Sequence, residues 1–172
     1  SPGFYGLAAQ DLEAELDGPV CFLEGASGST HNLTLSGAEC ARRISQAVRD
    51  ALQQAKPRSV DRLGAVKRPF RYRVRQFDEA QEHAAVTQYC QRYVGAYGQS
   101  VIDVFRDMRA KLAPQRGQER ETWLQGMRIG DVALVGVPAE CFTQLGLDIK
   151  NRSPFRHTIV AELANDWIGY LP

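Results

Sequence analysis

Hydrophobic positions along this chain follow two spacings, and the spacings alternate. Leu7, Leu12 and Leu16 stand among polar residues over 4–16, which predicts a helix stopped by Asp17-Gly18-Pro19. Residues 20–23 are apolar without a break and predict a short buried strand, followed by a loop of small and polar residues over 24–32. Ser36 is placed to cap a long helix over 37–55, with Ala41, Ile44, Val48, Ala51 and Leu52 on one face. Residues 60–77 read as two strand-like segments separated by Lys67-Arg68-Pro69, because proline cannot donate to a sheet ladder. In the second segment Arg71, Arg73 and Arg75 alternate with Tyr72 and Val74, the pattern of a strand with one solvated face.

A second helical region covers 78–112 and is expected to loosen near Gly95-Ala96-Tyr97-Gly98, with Ala84, Tyr89, Val94, Val101, Phe105 and Met108 as packing residues. Residues 122–129 and 132–137 then form a predicted hairpin with Gly130-Asp131 at its tip. The second of these strands is apolar on both faces, as a strand covered on two sides should be. Pro138 ends it, and Glu140 and Cys141 are expected to open a helix carrying Phe142, Leu145 and Ile149. A last strand over 158–163 leads into the closing run 164–172. Long helices alternating with short buried strands predict an α/β fold: a mixed sheet with long flanking helices, its antiparallel part supplied by the hairpin.

Composition changes this picture little. With 172 residues, 44% of them hydrophobic, and a net charge of +1, the chain is long enough for one sizeable core. Its basic residues are dispersed, so no nucleic-acid partner is expected. No apolar run reaches the roughly 18 residues of a membrane span. Cys21, Cys40, Cys90 and Cys141 have none of the close spacings of a zinc or redox motif, and are expected to be small buried hydrophobes. Asn32-Leu33-Thr34 matches a glycosylation acceptor.

Candidate chemistry gathers where strands end. Glu140 follows a strand's carboxyl end, where open α/β sheets place ligands. It either complements a helix dipole or faces a cleft. The loop 24–32 also follows a strand end, and its small residues allow backbone to approach a ligand while polar side chains collect there. The closing run stands in the same relation to the last strand, so two polar strand ends are expected to meet at one rim of the sheet.

Three of these stretches together resemble the neutral, non-lysosomal ceramidase family. Val137-Pro138-Ala139-Glu140-Cys141-Phe142 resembles that family's Pro-Gly-Glu-x-Phe segment, and Leu163-Ala164-Asn165-Asp166-Trp167-Ile168-Gly169-Tyr170 its Leu-Ala-Asn-x-Tyr-x-x-Tyr segment. The loop 22–32 occupies the place of the segment that carries the family's nucleophilic serine, and Ser1-Pro2-Gly3-Phe4 is similar to an element before it. The resemblance implies that Glu140 and Tyr170 are two oxygen ligands of a Zn²⁺, and that the chain is the carboxyl-terminal portion of a larger catalytic domain. Two further ligands would be histidines of an upstream segment, because His31, His83 and His157 match neither histidine motif. The family's serine falls on His31, its preceding Asp on Ser29, and its first Tyr on Trp167.

The leading expectation is therefore a zinc-dependent hydrolase of an N-acyl amide bond, acting on a small-molecule or lipid substrate. Glu140 and Tyr170 would hold the metal, His31 would act as base or ligand, and Ser29 or Thr30 would be the alternative nucleophile. Two rivals stand beside it: a binding or structural subunit on the same scaffold without the metal, and a metal-independent hydrolase using Ser29 or Thr30. In each case the chain is expected to associate with an upstream segment or another chain.

Overall fold

A computed structural model describes residues 2–172. The chain divides into two compact units, one made of the residues up to Arg68 together with Trp123–Pro172, the other of Pro69–Thr122.

In the first unit, α1 (Gly3–Leu16) packs on α2 (Gly37–Gln54), with Ala8 and Leu12 of α1 buried and an Arg49–Glu15 ion pair at 2.7 Å. Ser36 caps α2 as its sequence predicts, its hydroxyl accepting from Glu39 N at 3.2 Å. Ile44 and Val48 are half-buried on the expected face, whereas Ala51 and Leu52 beyond them are exposed. The link between the helices departs from expectation. Residues 20–23 join no sheet, and Cys21, Phe22 and Leu23 are exposed. The Phe22 ring stacks on Tyr5 of α1 at 4.7 Å instead, so the apolar run serves a ring contact and no strand is offered as its partner.

The sheet is mixed, as the α/β reading requires. Its order is β1 (Leu63–Arg73), β2 (Glu119–Ile129), β3 (Val132–Gly136), β5 (His157–Ala161). β2 and β3 form the predicted hairpin, antiparallel with Ile129 opposite Val132, and Gly130 takes a φ of 60° at its tip. β3 and β5 are parallel, with Val135 opposite Val160. A second, two-stranded parallel sheet is formed by β4 (Glu140–Cys141) and β6 (Tyr170–Leu171). α5 (Thr143–Arg152) packs against β5. Beneath β4 lies a core of Val137, Ala139, Cys141 and Val160, sealed by Val135, Leu145, Ile149, Ile168 and Leu171.

Two sequence expectations are corrected by this sheet. Residues 63–73 form one strand rather than two, because β1 is an edge strand, where the missing N–H of Pro69 is tolerated. Glu140 and Cys141 belong to a strand rather than to a helix's first turn. Glu140 N donates to Gly169 O at 3.0 Å and Phe142 N to Leu171 O at 2.8 Å, so these backbone groups are engaged by β6 before the helix begins.

The second unit is a helical hairpin of α3 (Glu79–Tyr93) and α4 (Gly98–Leu112), joined by a short 3₁₀ turn where the sequence predicts a loosening. Its packing residues differ from those expected. Ala84, Tyr89, Phe105 and Met108 are exposed, and the buried positions are Cys90, Gly98, Ile102 and Arg109. The Arg109 guanidinium forks onto the Glu79 carboxylate at 2.9–3.1 Å, which compensates the buried arginine's charge while Glu79 itself stays exposed. No helix among the described residues is long and apolar enough to cross a membrane.

Candidate active site

The site is built where β3 and β5 end. Past β3 the backbone of 137–142 becomes a template for the returning segment 161–171. Ala164 N donates to Val137 O (3.0 Å), Leu163 N to Ala139 O (3.2 Å) and Ile168 N to Pro138 O (2.9 Å). The return needs left-handed backbone at Leu163 (φ 54°) and Asn165 (φ 68°), which asparagine adopts readily and leucine does not. The backbone is therefore strained one residue after Glu162, and the strain is held by the hydrogen bonds on either side.

The two expected strand ends do meet. Glu140 and Tyr170 are register partners in the β4–β6 pair. The Glu140 carboxylate, first as an acceptor for the phenol and then as a charge, pushes the Tyr170 pKa above its usual value. A second donor reaches the same group: Trp167 Nε1 donates to Glu140 Oε1 at 3.0 Å. The Trp167 and Tyr170 rings are both largely exposed, while Glu140 is half-buried between them.

The loop 24–32 is clamped to the back of this pair. Gly28 N donates to Cys141 O at 2.7 Å, and a Cβ at Gly28 would stand 2.9 Å from the backbone of Glu140 and Cys141, so only glycine allows the approach. Glu24 O accepts from Glu162 N at 2.9 Å. The buried Glu162 carboxylate accepts from Cys141 N (2.7 Å) and faces the Ser27 hydroxyl (2.5 Å), whose other neighbour is Glu24 Oε1 at 2.8 Å. Ser27 has a single proton and donates to one carboxylate at a time. Burial pushes the Cys141 thiol up, with the Glu162 charge adding to it, so Cys141 is a neutral core residue and no nucleophile.

The expected site residues on this loop fare differently. The Ser29 hydroxyl accepts from Thr143 N at 3.0 Å and donates to Thr143 Oγ1 at 3.1 Å, supplying from outside the helix the cap that Phe142 does not give α5. Thr30 Oγ1 donates to Ser27 O at 2.9 Å. His31 is exposed and has no hydrogen-bond partner among the described residues. Asn32 is occupied structurally: its Nδ2 donates to Leu35 O (2.8 Å) and its Oδ1 accepts from Leu35 N (3.0 Å), so a glycan on Nδ2 would compete with the turn.

Glu140 and Tyr170 place two oxygen donors side by side, the chemistry of half a zinc donor set. Among the described residues no three His, Cys, Asp or Glu side chains gather closely enough to complete one.

Over 99% of its length the chain superposes on the neutral ceramidase from Pseudomonas aeruginosa, with a TM-score of 0.60. The fold is ceramidase-like. The sequences are 15% identical, and the chain spans 35% of the length of that enzyme, so it corresponds to part of a larger domain. A second solved chain, titled "Ceramidase complexed with C2", overlaps 30% of this chain and 9% of its own at 28% identity and a TM-score of 0.27, too slight to bear on the fold. No protein-family model and no curated protein sequence matches the chain.

Sequence reasoning missed three participants: Ser27, Glu162 and the indole of Trp167. Glu162 carried one visible signal, a carboxylate directly after the apolar run Ile159-Val160-Ala161, where an acid is buried only if donors await it. Nothing in the sequence announced that Trp167 would reach across to Glu140.

Proposed function

We propose that this chain carries part of the active site of a zinc-dependent hydrolase that cleaves an N-acyl amide bond. The observation that carries this reading is the Glu140–Tyr170 pair: a carboxylate and a phenol brought into register at the ends of two strands. Support comes from the ceramidase-like fold around the pair and from the loop clamped beside it.

In this reading Glu140 and Tyr170 would hold the metal, and two histidines from an upstream segment would complete the set. Zinc would supply Lewis acidity towards the amide carbonyl and lower the pKa of a bound water. The chain's own contribution is positional. β4 and β6 hold the two oxygens at one rim, and Gly28 lets the loop lie directly against β4. Ser29 of that loop bonds to Thr143, three residues after Glu140, and Thr30 and His31 follow it in the chain as the candidate nucleophile and base of this reading. The substrate is a small-molecule or lipid amide.

A second reading has its own support. Ser29 spends its hydroxyl on Thr143, and neither Ser29 nor Thr30 has a base within hydrogen-bond reach among the described residues, which favours a scaffold that binds without catalysing. Metal content separates the two. The longest natural product of the gene, purified without added metal, should contain about one zinc per chain by mass spectrometry and lose it in Glu140→Gln. A folded, zinc-free parent protein would leave the binding scaffold as the better account.

A further inference from the structure

The geometry points to a second binding site, at the opposite end of β3 from Glu140: an apolar groove on the α5 face of the four-stranded sheet, lined by two arginines, that takes a small flat aromatic acid. This inference is independent of the zinc reading and uses none of its residues.

The groove follows from what covers the sheet. Side chains alternate across a strand, so one face carries Gly126 and Arg128 of β2, Ala133 and Val135 of β3, and Thr158 and Val160 of β5, in the register of the two pairings. Gly64 and Val66 of β1 continue these two rows. A Cβ at Gly64 would lie 3.9 Å from Arg128 Cβ, and one at Gly126 3.2 Å from Val66 Cγ1. On this face α5 packs over β5, with Leu145 and Ile149 sealing the core around Val160. The β1–β2 half stays open, and a cavity of about 650 Å³ lies between it and α5. That is the size of a small-molecule site. Arg128 and Thr158 are both register partners of Ala133, near the start of β3, whereas Glu140 lies beyond that strand's far end.

Shape and charge select the occupant. Gly64, Gly126 and Ala133 carry nothing larger than a methyl, so a planar ring can lie directly on the strands. Arg128 stands half-buried on this floor. Its Nε donates to Gly130 O at 2.8 Å and its guanidinium lies 5.6 Å from the centre of the Phe155 ring, while Nη1 and Nη2 meet no protein acceptor among the described residues. Phe155 is itself held in place. Its N–H donates to Ser153 Oγ at 3.2 Å, and Thr158 Oγ1 on β5 donates to the same oxygen at 2.5 Å.

Arg152, in the last turn of α5, lines the same groove and makes no hydrogen bond or ion pair among the described residues. The carboxylate in the lining, Asp148, accepts from Gln144 Nε2 at 2.8 Å. Two guanidinium groups against one carboxylate leave the groove positive. An occupant with an apolar body therefore gains by carrying an anionic group, which the paired N–H donors of a guanidinium meet edge-on.

The test adds anilinonaphthalene sulfonate, a flat aromatic anion, to the longest natural product of the gene, with uncharged phenylnaphthylamine alongside. Fluorescence titration and calorimetry should give one sulfonate per chain, bound more tightly than the amine. Arg152→Gln should weaken the sulfonate about 3-fold and leave the amine unchanged. Gly64→Val sets a side chain on the floor beside Arg128, on an exposed edge strand, and should weaken both probes about 10-fold or more with an unchanged unfolding midpoint. Glu140→Gln should change neither probe. In amide NMR the sulfonate should shift Gly64, Gly126 and Phe155. Undiminished binding of both probes to Gly64→Val, or no binding to the parent protein, would overturn the site. Equal affinities for the two probes, unaltered by Arg152→Gln, would overturn the choice of an acid. If Gly64→Val fails to fold, the amide shifts decide: perturbation away from these three residues rejects the groove.

Discussion

Glu140 and Tyr170, separated by 29 intervening residues of sequence, stand opposite one another in the parallel β4–β6 pair. The Glu140 carboxylate favours the neutral phenol over a phenolate, first as an acceptor for its proton and then as a charge, which is why the Tyr170 pKa lies above the ordinary value. Glu140→Gln removes the charge and weakens the acceptor, so Tyr170 should titrate at lower pH in the variant. Selective ¹³C labelling of tyrosine and an NMR pH titration read this directly; an unmoved Tyr170 midpoint would contradict the pairing.

Gly28→Ala should destabilise the first unit by about 1–3 kcal/mol in urea denaturation, because the atoms its methyl would meet are backbone and cannot swing aside. Gly37, where an added Cβ meets nothing within 4 Å, is the control, and Gly37→Ala should be neutral or mildly stabilising.

Ser27→Ala and Ser29→Ala should differ although the serines are two residues apart. Ser27 serves a buried carboxylate, and its loss leaves Glu162 short of a donor, at a cost of about 1–3 kcal/mol. Ser29 caps an exposed helix start, worth about 0.5–1 kcal/mol. Equal midpoints for the two variants would show that the Ser27–Glu162 contact is not maintained in solution.

Acid stability should carry a contribution from α2. Hydrogen bonds from Arg42 and then Arg43 lower the Glu39 pKa from 4.5 to about 2. A carboxyl whose folded pKa is depressed stabilises fully above its unfolded value and loses that contribution as pH falls, here between about 4.5 and 2. Glu39→Gln should therefore flatten the dependence of the unfolding midpoint on pH in that window by lowering the midpoint above it rather than below it, a small effect because the arginine partners are exposed to solvent.

Elements whose signal is local were legible in the sequence. The Ser36 cap, the break at Gly95–Tyr97, the Gly130-Asp131 hairpin and the central strand each depend on residues close in the chain, and each is found, although only Ala133 of the strand is fully buried. So is the solvated arginine face of β1, where Arg71 and Arg73 are exposed, Tyr72 is half-buried, and Val74 beyond the strand is buried. The expectations that failed needed a partner the sequence does not name. Residues 20–23 look like a strand by composition but have no strand beside them. Pro69 reads as a break unless β1 is known to be an edge.

For the site, the sequence by itself determined the chemical inventory: a carboxylate after one strand, a tyrosine after another, and a small-residue loop. Tertiary structure alone decided their arrangement. Glu140 leaves its expected helix because β6 engages the backbone around it, and the same pairing sets Tyr170 opposite it and lets Trp167 reach its carboxylate. Side-chain type is written residue by residue, whereas the pairing of positions 140 and 170 exists only after the chain has closed a loop whose entropic cost no local pattern records.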